Sequence, residues 1–166
     1  MRLALDRHSA PAFVLRSGVR GDLDNLLALE RRAFAGDRLA RRSFRHLLGA
    51  PTAALLVAEE DGRLVGYALV LFKARSGLAR LYSIAVAPEC AGRGAGTLLL
   101  AAAEAAARAR GCRLMRLEVD ANNARAIARY RKAGYAAFGR RPGYYENGAD
   151  ALRFQKQLST AIGGAS

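Results

Sequence analysis

Residues 79–99 read ARLYSIAVAPECAGRGAGTLL, an apolar strand, a glycine-rich turn and a helix start in immediate succession. The turn, Gly92-Arg93-Gly94-Ala95-Gly96, can aim several backbone N–H groups at one point, where the helix dipole adds positive potential. Such a junction suits a pyrophosphate, and a nucleotide-bearing cofactor is the expected ligand. It also sets a strand feeding a helix at the centre of the chain.

Working outward, Ala12–Arg16 reads as a short first strand. Asp22 is the expected N-cap of a helix that carries Leu23, Leu26, Leu27, Ala33 and Phe34 near helical spacing. The arginine-dense stretch Gly36–Arg45 leads through Phe44, Leu47 and Leu48 into a second helix stopped by Gly49. Ala53–Glu59 and Arg63–Ala74 flank Glu60-Asp61-Gly62, a strong hairpin signal. The opening strand is predicted over Leu78–Ala87, and Pro88 ends it. Beyond the glycines, a helix over Gly96–Arg110 carries Glu104 and Arg108 as an i,i+4 pair and stops at Gly111. Leu114–Val119 alternates as a strand; Asn122 or Asn123 caps a further helix ending near Ala133, before Gly134. Tyr135–Gly139 and Ala149–Gln157 complete the set as strands.

The order β-α-α-β-β-β-α-β-α-β-β predicts an α/β fold: one domain over residues 12–158, with a mixed, mostly antiparallel sheet and helices on both faces. Residues 1–11 read as a flexible N-terminus and 159–166 as a loose tail.

A chain of 166 residues, 52% hydrophobic and 25% charged, is expected to fold around an ordinary core. No apolar run reaches the roughly 18–20 residues a bilayer crossing needs. Met1–Pro11 lacks the continuous apolar core of a signal peptide, so a cytoplasmic address without membrane attachment is expected. Cys90 and Cys112 make neither a disulfide framework nor a metal site. Cys112 is expected in a strand as core filler, and Cys90 in the loop before the glycines, where reactivity is conceivable. His8 and His46 are isolated, and no metal is expected. The net charge of +13 is almost all arginine, with lysine only at Lys73, Lys132 and Lys156. It fits an acidic substrate, a phosphorylated cofactor or nucleic acid, or else a plain compositional bias.

The loop departs from several nucleotide-binding patterns. A P-loop needs Lys-Ser/Thr after its last glycine, and Thr97-Leu98 follows Gly96 here. A Rossmann loop starting at Gly92 needs Gly or Ala where Thr97 stands, and normally opens its domain. A methyltransferase loop wants an acidic residue where Cys90 stands. Residues 81–158 instead carry Ile84-Ala85-Val86-x-Pro88, a loop ending Gly94-Ala95-Gly96, and Leu117-Glu118-Val119. They continue with Asn123-x-x-Ala126-Ile127-x-x-Tyr130, Gly134-Tyr135, and Tyr144-Tyr145 followed by Gly148-x-Asp150-Ala151. In order and spacing this half of the chain resembles the GNAT N-acetyltransferases, and among them the bacterial ribosomal-protein alanine N-acetyltransferases.

The resemblance implies acetyl-CoA as co-substrate and an amine acceptor, foremost a protein N-terminal α-amine, with a small amine or lysine as the alternative. It implies Glu118 as general base and Tyr130 as general acid. It implies cofactor contacts from the backbones of Ile84, Ala85 and Val86, from Gly92, Arg93, Gly94, Ala95, Gly96 and Thr97, and from Asn123. Tyr144 and Tyr145 would line the acceptor site. Each has a plainer reading: Glu118 paired with Arg116 or Arg113, Tyr130 packing its helix on the sheet, Asn123 capping a helix, and the paired tyrosines as surface aromatics. The family loop begins with Gln or Arg where this chain has Ala91, and Arg93 is the expected source of compensating charge. Two other classes fit parts of the chain. One is a nucleic-acid-binding module built on Arg31, Arg32, Arg38, Arg41, Arg42 and Arg45, though it has few interleaved aromatics. The other is a non-catalytic acyl-CoA-binding protein.

Overall fold

Asp61 and Gly62 take φ of 50° and 75°, the geometry of a two-residue turn, and join β2 (Ala53–Glu60) to β3 (Arg63–Phe72) as the Asp-Gly signal predicts. The computed structural model describes residues 12–159. The remaining elements are β1 (Val14–Ser17), α1 (Leu23–Ala33), α2 (Arg41–Leu48), β4 (Leu78–Val86) and α3 (Ala95–Ala109), then β5 (Leu114–Asp120), α4 (Ala124–Lys132), β6 (Ala136–Arg141) and β7 (Ala151–Gln157). Element order matches the sequence reading, and two short 3₁₀ turns, Arg20–Asp22 and Pro88–Cys90, are added to it. The expected flexible N-terminus (1–11), and the tail beyond Ser159, lie outside the described residues.

The seven strands form one sheet in the order β1-β2-β3-β4-β5-β7-β6. Every pairing is antiparallel except β4 with β5, which the α3 crossover makes parallel. Alternation along β3 sends Tyr67 to one face, where its ring meets Phe44 of α2 edge-on at 5.5 Å. Gly66 points to the other, where an added Cβ would lie 2.9 Å from Leu99 Cδ1 of α3. The first two helices thus cover one face and α3 the other, with Leu26, Phe44, Leu69, Leu99 and Met115 completely buried, while Phe154 of β7, also fully buried, packs against Tyr130 of α4.

Three local expectations change, and a fourth is met within a larger group. The Asp22 carboxylate caps no N–H of α1. Two Arg16 nitrogens at 2.8 Å and the Val19 N–H at 2.7 Å occupy it instead, and the Arg16 hydrogen bonds hold its carboxyl below the usual carboxylate range. Cys112 lies in the connection before β5 rather than in a strand, though buried as expected. Cys90 is buried in its 3₁₀ turn, with only 2% of its surface exposed, which removes the access that reactivity needs. The Glu104–Arg108 pair forms at 3.7 Å but is the weaker part of a larger group. Glu104, buried on α3, takes Lys156 Nζ of β7 at 2.7 Å and the Tyr135 hydroxyl at 3.3 Å.

Candidate active site

Along β4 the pairing with β5 lasts only from Leu78 to Arg80. Beyond it the strands part, and the register with β3 slips so that Tyr82 is an extra residue on β4. Ala87 donates its N–H to Val65 O of β3 at 2.7 Å. By strand alternation Ala85 also turns its peptide groups to β3, while Ile84 and Val86 turn theirs into the gap. Of the three residues expected to act through their backbones, two have peptide groups free for a ligand.

The glycine junction closes one end of this gap. Gly92 and Gly94 take φ of 77° and 90°, which side chains other than glycine rarely adopt. The first α3 hydrogen bond to close runs from Leu98 N to Gly94 O at 3.0 Å, which leaves the preceding N–H groups for an external acceptor. A groove of about 520 Å³ runs past Ile84, Ala85, Val86, Gly92, Gly94, Ala95, Gly96, Thr97 and Asn123. Ala91 lines it too, without polar contribution from its side chain. Arg93 is turned aside to the Glu60 carboxylate and its guanidinium stacks on Phe13.

Positive charge reaches the groove from residues the sequence reading missed. Arg125 and Arg129, one turn apart on α4, both line it. An added Cβ at Gly96 would lie 2.7 Å from Arg129 Nη1, and one at Gly92 would lie 3.4 Å from Arg125 Nη2. Gly96 therefore does a second job: it leaves room for the Arg129 guanidinium over the helix start. The i,i+4 spacing after Asn123 was the available signal, but which way that face points depends on packing. The groove has the donors and charge a pyrophosphate requires.

Adjoining the groove, with Phe34, Ile84, Asn123 and Arg129 common to both linings, is a cleft of about 430 Å³ also lined by Ser83, Glu118, Tyr130 and Tyr145. Asn123 accepts the Ala126 N–H at 3.1 Å, so it caps α4 while facing both spaces. Tyr130 is buried edge-on against Tyr135, with ring centroids 5.8 Å apart, and burial pushes its phenol up to about 12. It stays protonated across the neutral range and can donate.

Glu118, 9% exposed at its side chain, projects from β5 into the same cleft. It pairs with neither Arg113 nor Arg116. Arg80 of β4 reaches its Oε2 at 3.0 Å, while Arg153 and Arg141 approach Oε1 at 3.8 and 4.0 Å. Arg80 also donates to the Tyr144 hydroxyl at 2.8 Å. Tyr144 and Tyr145 meet edge-on at 5.0 Å, and with Asp37, Arg80, Tyr82 and Glu118 they line a further space of about 240 Å³. Asp37, in the α1–α2 loop with φ of 51°, accepts the Glu146 N–H at 3.2 Å and so ties that loop to the one between β6 and β7. Arg80 and Asp37 escaped the sequence reading because their partners lie 38 and 109 residues away.

Part of the arginine-dense stretch is tied up within the fold. Arg32 pairs with Glu89, Arg41 with Asp24 at 2.7 Å, and Arg38 turns back to the carbonyls of Phe34 and Arg31. No helix among the described residues is long and apolar enough to cross a membrane.

A sequence model of the acetyltransferase (GNAT) family matches residues 22–135. The chain is 36% identical over 148 residues to a mycothiol acetyltransferase of Clavibacter michiganensis, an alignment covering 81% of this chain but 46% of that protein. It thus spans just under half the length of that relative. It is 34% identical over 149 residues to the N-alpha-acetyltransferase RimI of Mycobacterium tuberculosis, covering 82% and 87% of the two chains. Among solved structures, the ribosomal-protein-S18-alanine N-acetyltransferase of Escherichia coli superposes with a TM-score of 0.81 at 26% identity, covering 93% of this chain and 99% of that one.

Proposed function

Since the chain belongs to the acetyltransferase (GNAT) family, we propose that it transfers an acetyl group from acetyl-CoA to a primary amine, foremost the α-amine of a protein N-terminus. The observation that carries this reading is the row of adjoining spaces, sharing lining residues, from the glycine junction past the opened edge of β4 to Glu118 and the paired tyrosines. Acetyl-CoA, when bound, supplies the thioester. The N–H groups at the start of α3, with Arg125 and Arg129, hold its pyrophosphate; Ile84 and Val86 offer N–H groups where negative charge develops on the carbonyl. Glu118 takes a proton from the attacking nitrogen, and the Tyr130 hydroxyl gives one to the departing sulfur. Tyr144 and Tyr145 line the path of the acceptor, and an α-amine acceptor fits the similarity to RimI and the S18-alanine enzyme, named for N-alpha and alanine acetylation. A cytoplasmic location belongs to the same proposal.

Two measurements test this. Incubation with acetyl-CoA and a library of peptides bearing free α-amines is expected to yield α-acetylated members, identified by mass spectrometry. Acetylation confined to lysine side chains would shift the assignment to that acceptor, and none at all would sink the reading. Arg125→Ala and Arg129→Ala are each expected to weaken coenzyme A binding by about 1 kcal/mol, roughly fivefold, as measured by titration calorimetry. Unchanged affinity in both would remove α4 from the cofactor site.

A further inference from the structure

Glu30, on α1, is buried with 2% exposure and has no part in the chemistry above. It accepts the Tyr67 O–H at 2.6 Å, and the Tyr67 oxygen lies 2.8 Å from Ser83 Oγ. Ser83 lines the cleft that holds Glu118, while Glu30 lines a separate groove of about 280 Å³ opening between α1 and the α1–α2 loop. Three side chains on one face of the sheet thus connect the cleft to a second surface.

We propose that Ser83, Tyr67 and Glu30 form a proton relay that carries away the proton an acceptor ammonium must lose before it can attack. The inference rests on the acetyltransferase reading. An ammonium nitrogen brings three protons, and the amide keeps one. As the N–C bond forms and the C–S bond breaks, one further proton goes to Glu118, matching the one Tyr130 gives to sulfur. The third is released, and the net reaction delivers one proton to solvent. With both substrates seated, the cleft itself is filled. The relay then runs inward: Ser83 Oγ accepts the ammonium proton, passes its own to the Tyr67 oxygen, and Tyr67 passes its own to Glu30. The two links within the protein, Ser83 to Tyr67 and Tyr67 to Glu30, are both at hydrogen-bond distance.

The surroundings of Glu30 suit it to receive a proton. Burial raises its carboxyl above the usual carboxylate range; the Tyr67 hydroxyl, the Leu39 N–H at 3.2 Å and the Arg38 charge pull the other way. Arg31 and Arg41 also face its groove, and Asp37, Tyr82, Glu118, Asp120, Arg129, Tyr130 and Tyr145 line the cleft at the Ser83 end.

The test is Tyr67→Phe, which keeps the ring packed on Phe44 and removes only the hydroxyl. Its kcat is measured with acetyl-CoA and an α-amine peptide from pH 6.5 to 9.5, beside wild type and Glu30→Gln. An α-amine has a pKa near 8, so it arrives as ammonium at low pH and as free amine at high pH. Both variants are expected to lose about tenfold in kcat at the acid end and to approach wild type at the alkaline end, where the relay is not needed. A purely structural role would lower activity by the same factor throughout. A pH-independent ratio, or no loss at pH 6.5, overturns the relay while leaving the acetyltransferase reading intact. Wild-type inactivity towards every amine overturns both.

Discussion

Glu118→Gln is expected to lower kcat/KM for peptide acetylation by about 10²–10⁴-fold at every pH, with little change in the affinity for coenzyme A. Glutamine is nearly the shape of glutamate and can still accept from Arg80, which now bonds Oε2 at 3.0 Å. The substitution therefore tests basicity apart from packing. If Glu118 merely anchored Arg80 and, through it, the Tyr144 hydroxyl, the glutamine variant would work nearly as well as wild type. The three guanidinium groups around the carboxylate make the companion experiment informative. Arg80→Met leaves the carboxylate in place but removes its link to Tyr144, and should raise the KM for the peptide more than it lowers kcat. Steady-state kinetics with acetyl-CoA held saturating separates the two outcomes. Tyr130→Phe should cost about 10²-fold in kcat. Because its phenol is pushed up to about 12, wild type should show no loss of activity from tyrosine ionisation as pH rises through 10.

Glu104→Leu is expected to be strongly destabilising. Glu104 is the shared partner of Lys156 at 2.7 Å, the Tyr135 hydroxyl at 3.3 Å and Arg108 at 3.7 Å, and its own side chain is 6% exposed. Removing it leaves a lysine ammonium and a phenol facing apolar surroundings, where an unpaired buried charge costs about 3–5 kcal/mol. Lys156 retains 25% exposure, and water reaching it should hold the loss to about 3 kcal/mol, on the order of 10 °C in Tm. The double variant Glu104→Leu with Lys156→Met should recover most of that, since an apolar pair replaces an ion pair without leaving either charge alone. Thermal and urea unfolding of the three proteins checks the cycle. An additive double variant would mean that the two residues do not share the interaction.

The periodicities that governed the sequence reading are local, and the elements built on them stand where expected. Alternation in Leu114–Val119 predicts β5, and the Asp61-Gly62 turn predicts the β2–β3 hairpin, because each depends on backbone geometry within a few residues. Ends proved less legible. Asp22 offers a capping carboxylate to α1, but Arg16, six residues earlier on a neighbouring strand, takes it. Phe138 illustrates the same limit: the β6–β7 register slips beside it, and its ring lies under the guanidinium groups of Arg116 and Arg153 at 4.8 and 4.6 Å. No pattern along the chain carries that arrangement.

The sequence by itself determined the strand, glycine turn and helix at residues 79–99, and with them the place where an anion can be held. That information is covalent and short-ranged: glycines permit positive φ, and a helix start exposes N–H groups wherever it occurs. Tertiary structure alone decided what surrounds that junction. Splaying β4 from β5 beyond Arg80 opened the gap, packing α4 beside α3 brought Arg125 and Arg129 to the glycines, and the sheet placed Arg80, Arg141 and Arg153 around Glu118. Side chains far apart in the chain meet because burying apolar surface fixes how the elements pack. The charges that tune the site are carried there by that packing.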